Sequence, residues 1–499
     1  MSTAYEALLA RAKEKALISS TSATLSWDQE TYMPPAAVAY RSQQLSYLAG
    51  KAHELWTDPK VGEWLGACES DSALQGDQLA STNIRQWRRS YDLATKLPKE
   101  LVKELAETTA MARSVWVEAR KKQDFSLFQP KLTHIVDLKR KCADLYGYEV
   151  SPYDALLDEY EPDARSAAIT ELFDRLEPEM TAIVAELAEL SAAVPQHLLK
   201  GNYPIADQQA FNRRVAAAYG FDFEAGRIDT TTHPFCTDLG PQDVRLTTRY
   251  DETDFSSSLY GVMHEAGHGL YEQGLPDEHF GTPVGSYISL GIHESQSRFW
   301  ENQIGRTLTF WQHWHPVACE HFPGLKSVTP EQIAAALNRV TRSFIRVEAD
   351  ECTYDLHIML RYRIELELIE GRLATKDVPA YWNDSFERMM GLKVDNPANG
   401  CLQDIHWSLG GLGYFPTYTL GNLNAAQLYR TVSQDEGIAG DIAAGSYASV
   451  LNWLRTHVHS KGQQLTPDEL IKEATGQLLS PDAHLAHLRA KAKLFDAAC

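Results

Sequence analysis

The run PDARSAAITELFDRLEPEMTAIVAELAELSAAV, Pro162–Val194, decides the fold class. Its apolar residues return at three- and four-residue intervals among charges, the period of an amphipathic helix. Pro178 removes a backbone donor in mid-run, which predicts a kink or a split there. Pro98–Lys122 carries the same period, and a third long helical pattern runs from about Pro330 to Gly371, where the glycine predicts the terminus. Strand signal is scarce by comparison. Val244, Leu246, Thr248 and Tyr250 alternate with Asp243, Arg245, Thr247 and Arg249, which predicts one short strand set. The chain reads as mainly α, without internal repeats, and we expect 1–499 to form a single two-lobed unit cut by a cleft.

The remaining composition narrows the class of partner. Forty-seven basic residues stand against 67 acidic ones, a formal charge of −20 that repels phosphate backbones and anionic membranes. Nucleic acid and membrane are therefore not expected as partners. The seven cysteines, Cys68, Cys142, Cys236, Cys319, Cys352, Cys401 and Cys499, form no C-x-x-C pair and predict reduced thiols. Glu6, Arg11, Lys13 and Glu14 interrupt any apolar leader at the N-terminus, and no stretch has the length of a membrane span, so a cytosolic location is expected.

His264-Glu265-Ala266-Gly267-His268 is an H-E-x-x-H sequence within Asp254–Gly274, a segment of helical character. Residues four apart on a helix lie about 40° apart around its axis, so both imidazoles reach one zinc ion, while Glu265 faces the open side as a base. A third protein ligand is required. The metzincin extension fails because Tyr271 and Gly274 stand where Gly and His are needed, and a thermolysin-like spacing falls on Tyr287. Glu294 leads, because Ile288–Arg306 reads as a second helix and His293-Glu294-Ser295-Gln296 sets an acid among polar residues. Glu272 and Glu301 are its rivals, and Glu272 could instead accept a histidine N–H.

Six spaced elements occur in order: His233-Pro234-Phe235, Asp243-Val244-Arg245-Leu246-Thr247, His264–His268, His293–Gln296, Ile345–Asp350 and Gly400–Trp407. Ser26-Trp27-Asp28-Gln29 followed by Met33-Pro34-Pro35 adds an opening segment. Together they resemble the Taq-type, thermostable-carboxypeptidase family of zinc peptidases across nearly the whole chain. The resemblance implies a mostly helical body with a long deep groove, a small sheet beside the zinc, and a homodimer. It also implies a metallocarboxypeptidase with broad tolerance for the released residue and refusal of proline. Metal ligation carries over to His264, His268 and Glu294, one ion per subunit with cobalt as a possible substitute, and the base to Glu265.

An enzyme acting at C-termini must recognise a free carboxylate, and a guanidinium does so with paired hydrogen bonds. Arg346 is the candidate, sharing a predicted helical face with Asp350 and Tyr354 so that an acid holds it in place. His233, His406, Tyr414 and Tyr418 are candidate donors to the developing oxyanion. His406 and Tyr418 rank first because they flank Gly410–Pro416, a glycine-rich loop that could close over peptide, where Tyr414 is also a candidate substrate contact. Arg245 and Asp243 either bind peptide backbone or pair with each other. A zinc oligopeptidase or dipeptidyl carboxypeptidase is the competing enzyme reading, and a non-catalytic peptide binder the competing class, against which the intact Glu265 counts.

Overall fold

Short polar caps and long apolar faces account for most of the chain. The computed structural model describes residues 3–498, in which twenty-two α-helices accompany one three-stranded sheet. The first two expected helices form as Lys99–Lys122 and Ser166–Leu190. Pro178 does not split the second, which runs through it as one helix. One lost N–H bond is outweighed by the burial of Phe173, Leu176, Met180, Ile183 and Val184, none more than 2% exposed.

The pattern from Pro330 to Gly371 is broken in the structure, contrary to expectation. Helix Pro330–Leu337 ends at Asn338, whose amide donates to the Ala334 carbonyl at 2.8 Å. Helix Glu351–Ile369 starts afresh beneath Asp350, which accepts from the Cys352 and Thr353 amides at 2.9 and 3.2 Å. Arg346 lies between them in a single 3-10 turn, Arg346–Glu348, so it shares no helical face with Asp350 or Tyr354. Periodicity missed this because the apolar spacing continues through the break while side-chain caps divide the backbone. Gly371 does follow the helix end, at φ +80°.

The sheet joins β1 (Gly226–Thr230), β2 (Cys236–Asp238) and β3 (Val244–Thr248) in the order β1-β3-β2, with β1 parallel and β2 antiparallel to β3. Val244 and Leu246 of β3 face the core as their alternation predicts, but Thr247 is also buried, its hydroxyl donating to the Phe235 carbonyl at 3.0 Å.

Two large apolar cores hold most of the buried hydrophobic residues. One gathers Phe128, Phe173, Tyr362, Trp382 and Phe415, and the other Phe211, Leu246, Phe299, Trp300 and Trp311. Helix Pro416–Val432 spans both, giving Leu420 and Leu423 to the first and Ala425, Leu428 and Val432 to the second. A smaller core packs the N-terminal helices around Trp56 and Trp87. Cys142, Cys236, Cys319, Cys352 and Cys401 are free thiols, Cys68 is buried, and Cys499 lies outside the described residues. Among the described residues no helix is long and apolar enough to cross a membrane.

Candidate metal centre

The segment bearing both histidines forms helix Phe255–Glu272, started by Asp254, whose carboxylate accepts from the Ser256 amide at 3.0 Å. The second helix, read over Ile288–Arg306, forms as Leu290–Arg298 and continues as a π-helical stretch, Phe299–Gly305. The two helices touch at Gly267, where a β-carbon would stand 2.5 Å from the Gln296 carbonyl oxygen. Behind them Gly421 admits Glu294 in the same way, since a β-carbon there would lie 2.6 Å from Glu294 Cβ. These two bare surfaces bring Glu294 up to the histidines.

One ligand atom each from His264, His268 and Glu294 lies within 4.8 Å of the others. Glu294 Oε2 is 3.6 Å from His264 Nε2 and 3.4 Å from His268 Nε2. Ligands at zinc–donor distances of about 2.0–2.1 Å in a tetrahedron stand about 3.4 Å apart, so the donor set fits such an ion.

The rivals hold the ligands in place. Glu301 Oε2 takes the other nitrogen of His264, Nδ1, at 2.9 Å. His268 Nδ1 meets His293 Nδ1 at 2.6 Å, and His293 Nε2 meets Glu272 Oε1 at 2.7 Å. The proton order follows from the acceptor at the end: His293 Nε2–H donates to Glu272, His268 Nδ1–H donates to His293, and both Nε2 atoms of the ligand pair keep free lone pairs. Glu272 thus serves the histidine-acceptor role considered for it. Burial, with His293 nearby, holds His268 down to about 3, so it is neutral at pH 7. Burial works against ionising Glu294, but Arg298 and His264 outweigh it and hold its carboxyl well below the usual range. For His264, burial opposes the charged form, and Glu294 and Glu301 outweigh it to raise the pKa. Burial lifts Glu265 to about 7, against the pull of His264, which suits a group that exchanges protons near neutrality.

Arg298 did not stand out in the sequence. Its Nε donates to Glu294 Oε1 at 2.7 Å and its Nη1 to Glu301 Oε2 at 3.3 Å, while Glu294 Oε2 accepts from Ser297 Oγ at 3.1 Å and faces the two histidines. An i,i+4 Glu–Arg pair was the available signal, but on most helices that pair is a solvated ion pair.

Arg346, Tyr354, His406, Tyr414 and Tyr418 come together on the side of the first core. Asp404, not Asp350, holds Arg346, accepting from Nε at 3.0 Å and Nη2 at 2.9 Å, while Nη1 donates to the Tyr354 hydroxyl at 2.8 Å. Arg346 also lies over the Tyr418 ring at 5.2 Å. Tyr418 Oη stands 3.5 Å from His406 Nε2, and burial pushes His406 down to about 4, which keeps it neutral. His406 Nδ1 is buried with no protein partner among the described residues. The glycine-rich run is a loop as read, and it is tied to the first core through Glu365. Gly413 N–H donates to Glu365 at 3.0 Å, and Glu365 also accepts from the Trp407 indole and the Tyr153 hydroxyl, each at 2.8 Å.

The other candidates stand apart from this cluster. Arg245 and Asp243 pair with each other through two 2.7 Å bonds, and Arg245 lies 4.2 Å over the Trp27 ring of the N-terminal helix Thr3–Thr31. His233 is exposed on the turn between β1 and β2. Cavities adjoin the metal cluster on two sides: one of about 600 Å³ reaches Tyr260, His264, Glu265 and Arg306, and one of about 490 Å³ reaches Cys236, Glu272, Tyr287 and His293.

A family model described as carboxypeptidase Taq (M32) metallopeptidase matches residues 7–492. The chain belongs to that family. Thermostable carboxypeptidase 1 of Thermus thermophilus is 40% identical over 500 residues, covering 98% of each chain. The crystal structure of the M32 carboxypeptidase from Deinococcus radiodurans R1 superposes with a TM-score of 0.95 at 37% identity, covering 99% of this chain and 100% of that one. Trypanosoma cruzi metallocarboxypeptidase 1 gives a TM-score of 0.93 at 35% identity, covering 98% and 99%. This M32 chain is a metallocarboxypeptidase, a peptide hydrolase that uses a divalent metal.

Proposed function

We propose that this chain removes single residues from the free C-termini of peptides, with broad tolerance for the released residue except proline, using one zinc ion per subunit that cobalt can replace. The ion would be held by His264, His268 and Glu294. When bound, zinc supplies Lewis-acid activation of water and of the scissile carbonyl. Glu265 takes the proton of the attacking water and passes it to the leaving amine, for which a pKa of about 7 is well matched. Arg346 receives the terminal carboxylate. Tyr418 and His406 donate to the developing oxyanion, Tyr414 contacts the peptide, and His233, Asp243 and Arg245 border the groove. Proline at the released position would turn the scissile bond into a tertiary amide lacking an N–H, which is consistent with its refusal. We further propose that 1–499 acts as one catalytic unit, as a homodimer, in the cytosol.

The observation that carries this reading is the donor count at Arg346. Of its five N–H groups, two go to Asp404 and one to Tyr354, which leaves one on each terminal nitrogen, the pair that a carboxylate takes. The test offers a short peptide with a free or an amidated C-terminus to the metal-loaded enzyme and to Glu265→Gln, with products read by mass spectrometry. Stepwise loss of single residues from the free acid only, reduced about a hundredfold to ten-thousandfold by Glu265→Gln, is expected. Internal cuts or dipeptide release would assign the chain to the oligopeptidase or dipeptidyl class, and metal binding without cleavage to a peptide binder.

A further inference from the structure

The metal cluster sits on helices of the second core, and Arg346 sits against the first, yet single-residue release requires a set distance between them. The scissile carbonyl and the terminal carboxylate of a substrate are one residue apart, and each added residue moves the carboxylate about 3.5 Å further out. Something must hold the arginine at one-residue range. Beside helix Pro416–Val432, which spans both cores, a short bridge of side chains links the two sites directly. Glu294, whose Oε2 faces the histidines, accepts from Arg298 through Oε1 at 2.7 Å. The Arg298 guanidinium lies 5.0 Å over the Tyr354 ring, and the Tyr354 hydroxyl accepts from Arg346 Nη1 at 2.8 Å. Tyr354 is 8% exposed and belongs to the first core, while Arg298 extends from a helix whose Ile292 belongs to the second.

We propose that Tyr354 is the positioning residue that sets the spacing between the metal ligand Glu294 and the carboxylate-binding Arg346, and so selects release of one residue over two. The inference rests on the carboxypeptidase reading of Arg346 given above. Tyr354 works through its two neighbours: the ring carries one guanidinium by cation–π attraction and the hydroxyl fixes the other. Asp404 holds the opposite edge of Arg346, so loss of the Tyr354 hydroxyl frees the guanidinium to turn about that pair without leaving the site.

The experiment compares wild type, Tyr354→Phe and Tyr354→Leu, each with zinc, on matched free-acid and amidated peptides, with zinc affinity measured by competition against a chelating indicator. Tyr354→Phe is expected to raise KM for the free acid about tenfold with kcat nearly unchanged, to lower the preference for free acid over amide about tenfold, and to leave zinc affinity within twofold. Tyr354→Leu is expected to add dipeptide products. A wild type that does not discriminate acid from amide would overturn the carboxypeptidase reading itself. A discriminating wild type whose ratio is unchanged in Tyr354→Phe, or whose loss is equal on both peptides, would overturn the inference alone. Because the acid-to-amide ratio is taken within each variant, partial misfolding does not move it.

Discussion

Gly267 lies one residue before His268, and alanine there would test whether close helix approach builds the metal centre. The added β-carbon would stand 2.5 Å from the Gln296 carbonyl oxygen and 2.6 Å from Ser297 Cα. Both are backbone atoms, so no side-chain rotation makes room. Restoring a 3.0 Å contact to the carbonyl moves helix Leu290–Arg298 outward by about 0.5 Å and carries Glu294 with it. Metal–ligand distances hold to about 0.2 Å, so Gly267→Ala is expected to weaken zinc binding about tenfold to a hundredfold, the range found when the support of a ligand is disturbed. Stability of the metal-free protein moves less. Overpacking costs about 1–3 kcal/mol, and alanine recovers about 1 kcal/mol over glycine inside a helix. Competition with a chelating indicator reads the affinity, and thermal denaturation of the metal-free protein reads the stability. A Gly267→Ala protein that binds zinc as tightly as wild type and melts higher without metal would refute the argument.

The remaining expectations concern charge. Arg346→Lys keeps the charge but loses the fork shared between Asp404 and substrate, so KM for free-acid peptides should rise about tenfold to a hundredfold, from charged hydrogen bonds worth about 1.5–3 kcal/mol, while kcat changes little; steady-state kinetics that show kcat falling alone would remove Arg346 from carboxylate recognition. Glu161 is 3% exposed, accepts from Ser289 Oγ at 2.8 Å and the Gly291 amide at 2.9 Å, and burial lifts it from 4.5 to about 7. A raised acid contributes its full stability below pH 4.5 and loses it as pH rises through 7. Wild type should therefore lose about 2.5 kcal/mol relative to Glu161→Gln between pH 5 and pH 8, at no more than about 1.4 kcal/mol per pH unit and levelling off above pH 7. Parallel denaturation curves for the two proteins across that range would show that the carboxyl is not buried as described.

Helix content and the pairing of His264 with His268 were legible in the chain because both are local. An amphipathic period marks Ser166–Leu190, and four-residue spacing on one helix turns His264 and His268 toward a common point whatever packs around them. The short strand at Val244–Thr248 was local in the same sense. Glu294, by contrast, needed the resemblance to rise above an ordinary solvated glutamate, because its place depends on which surfaces of two helices lack side chains. Gly267 and Gly421 decide that approach, and a glycine in a helical run reads only as a weak spot until its neighbour is known. The holder of Arg346 was misread for a related reason. Asp350 is near in sequence, but it caps a helix, while Asp404 arrives from another segment. The sequence by itself determined which groups could bind a metal, accept a proton or grip a carboxylate, since those properties belong to side chains. Only the tertiary structure decided the distances between them, because hydrogen bonds and ring contacts act over a few ångströms and join residues far apart along the chain.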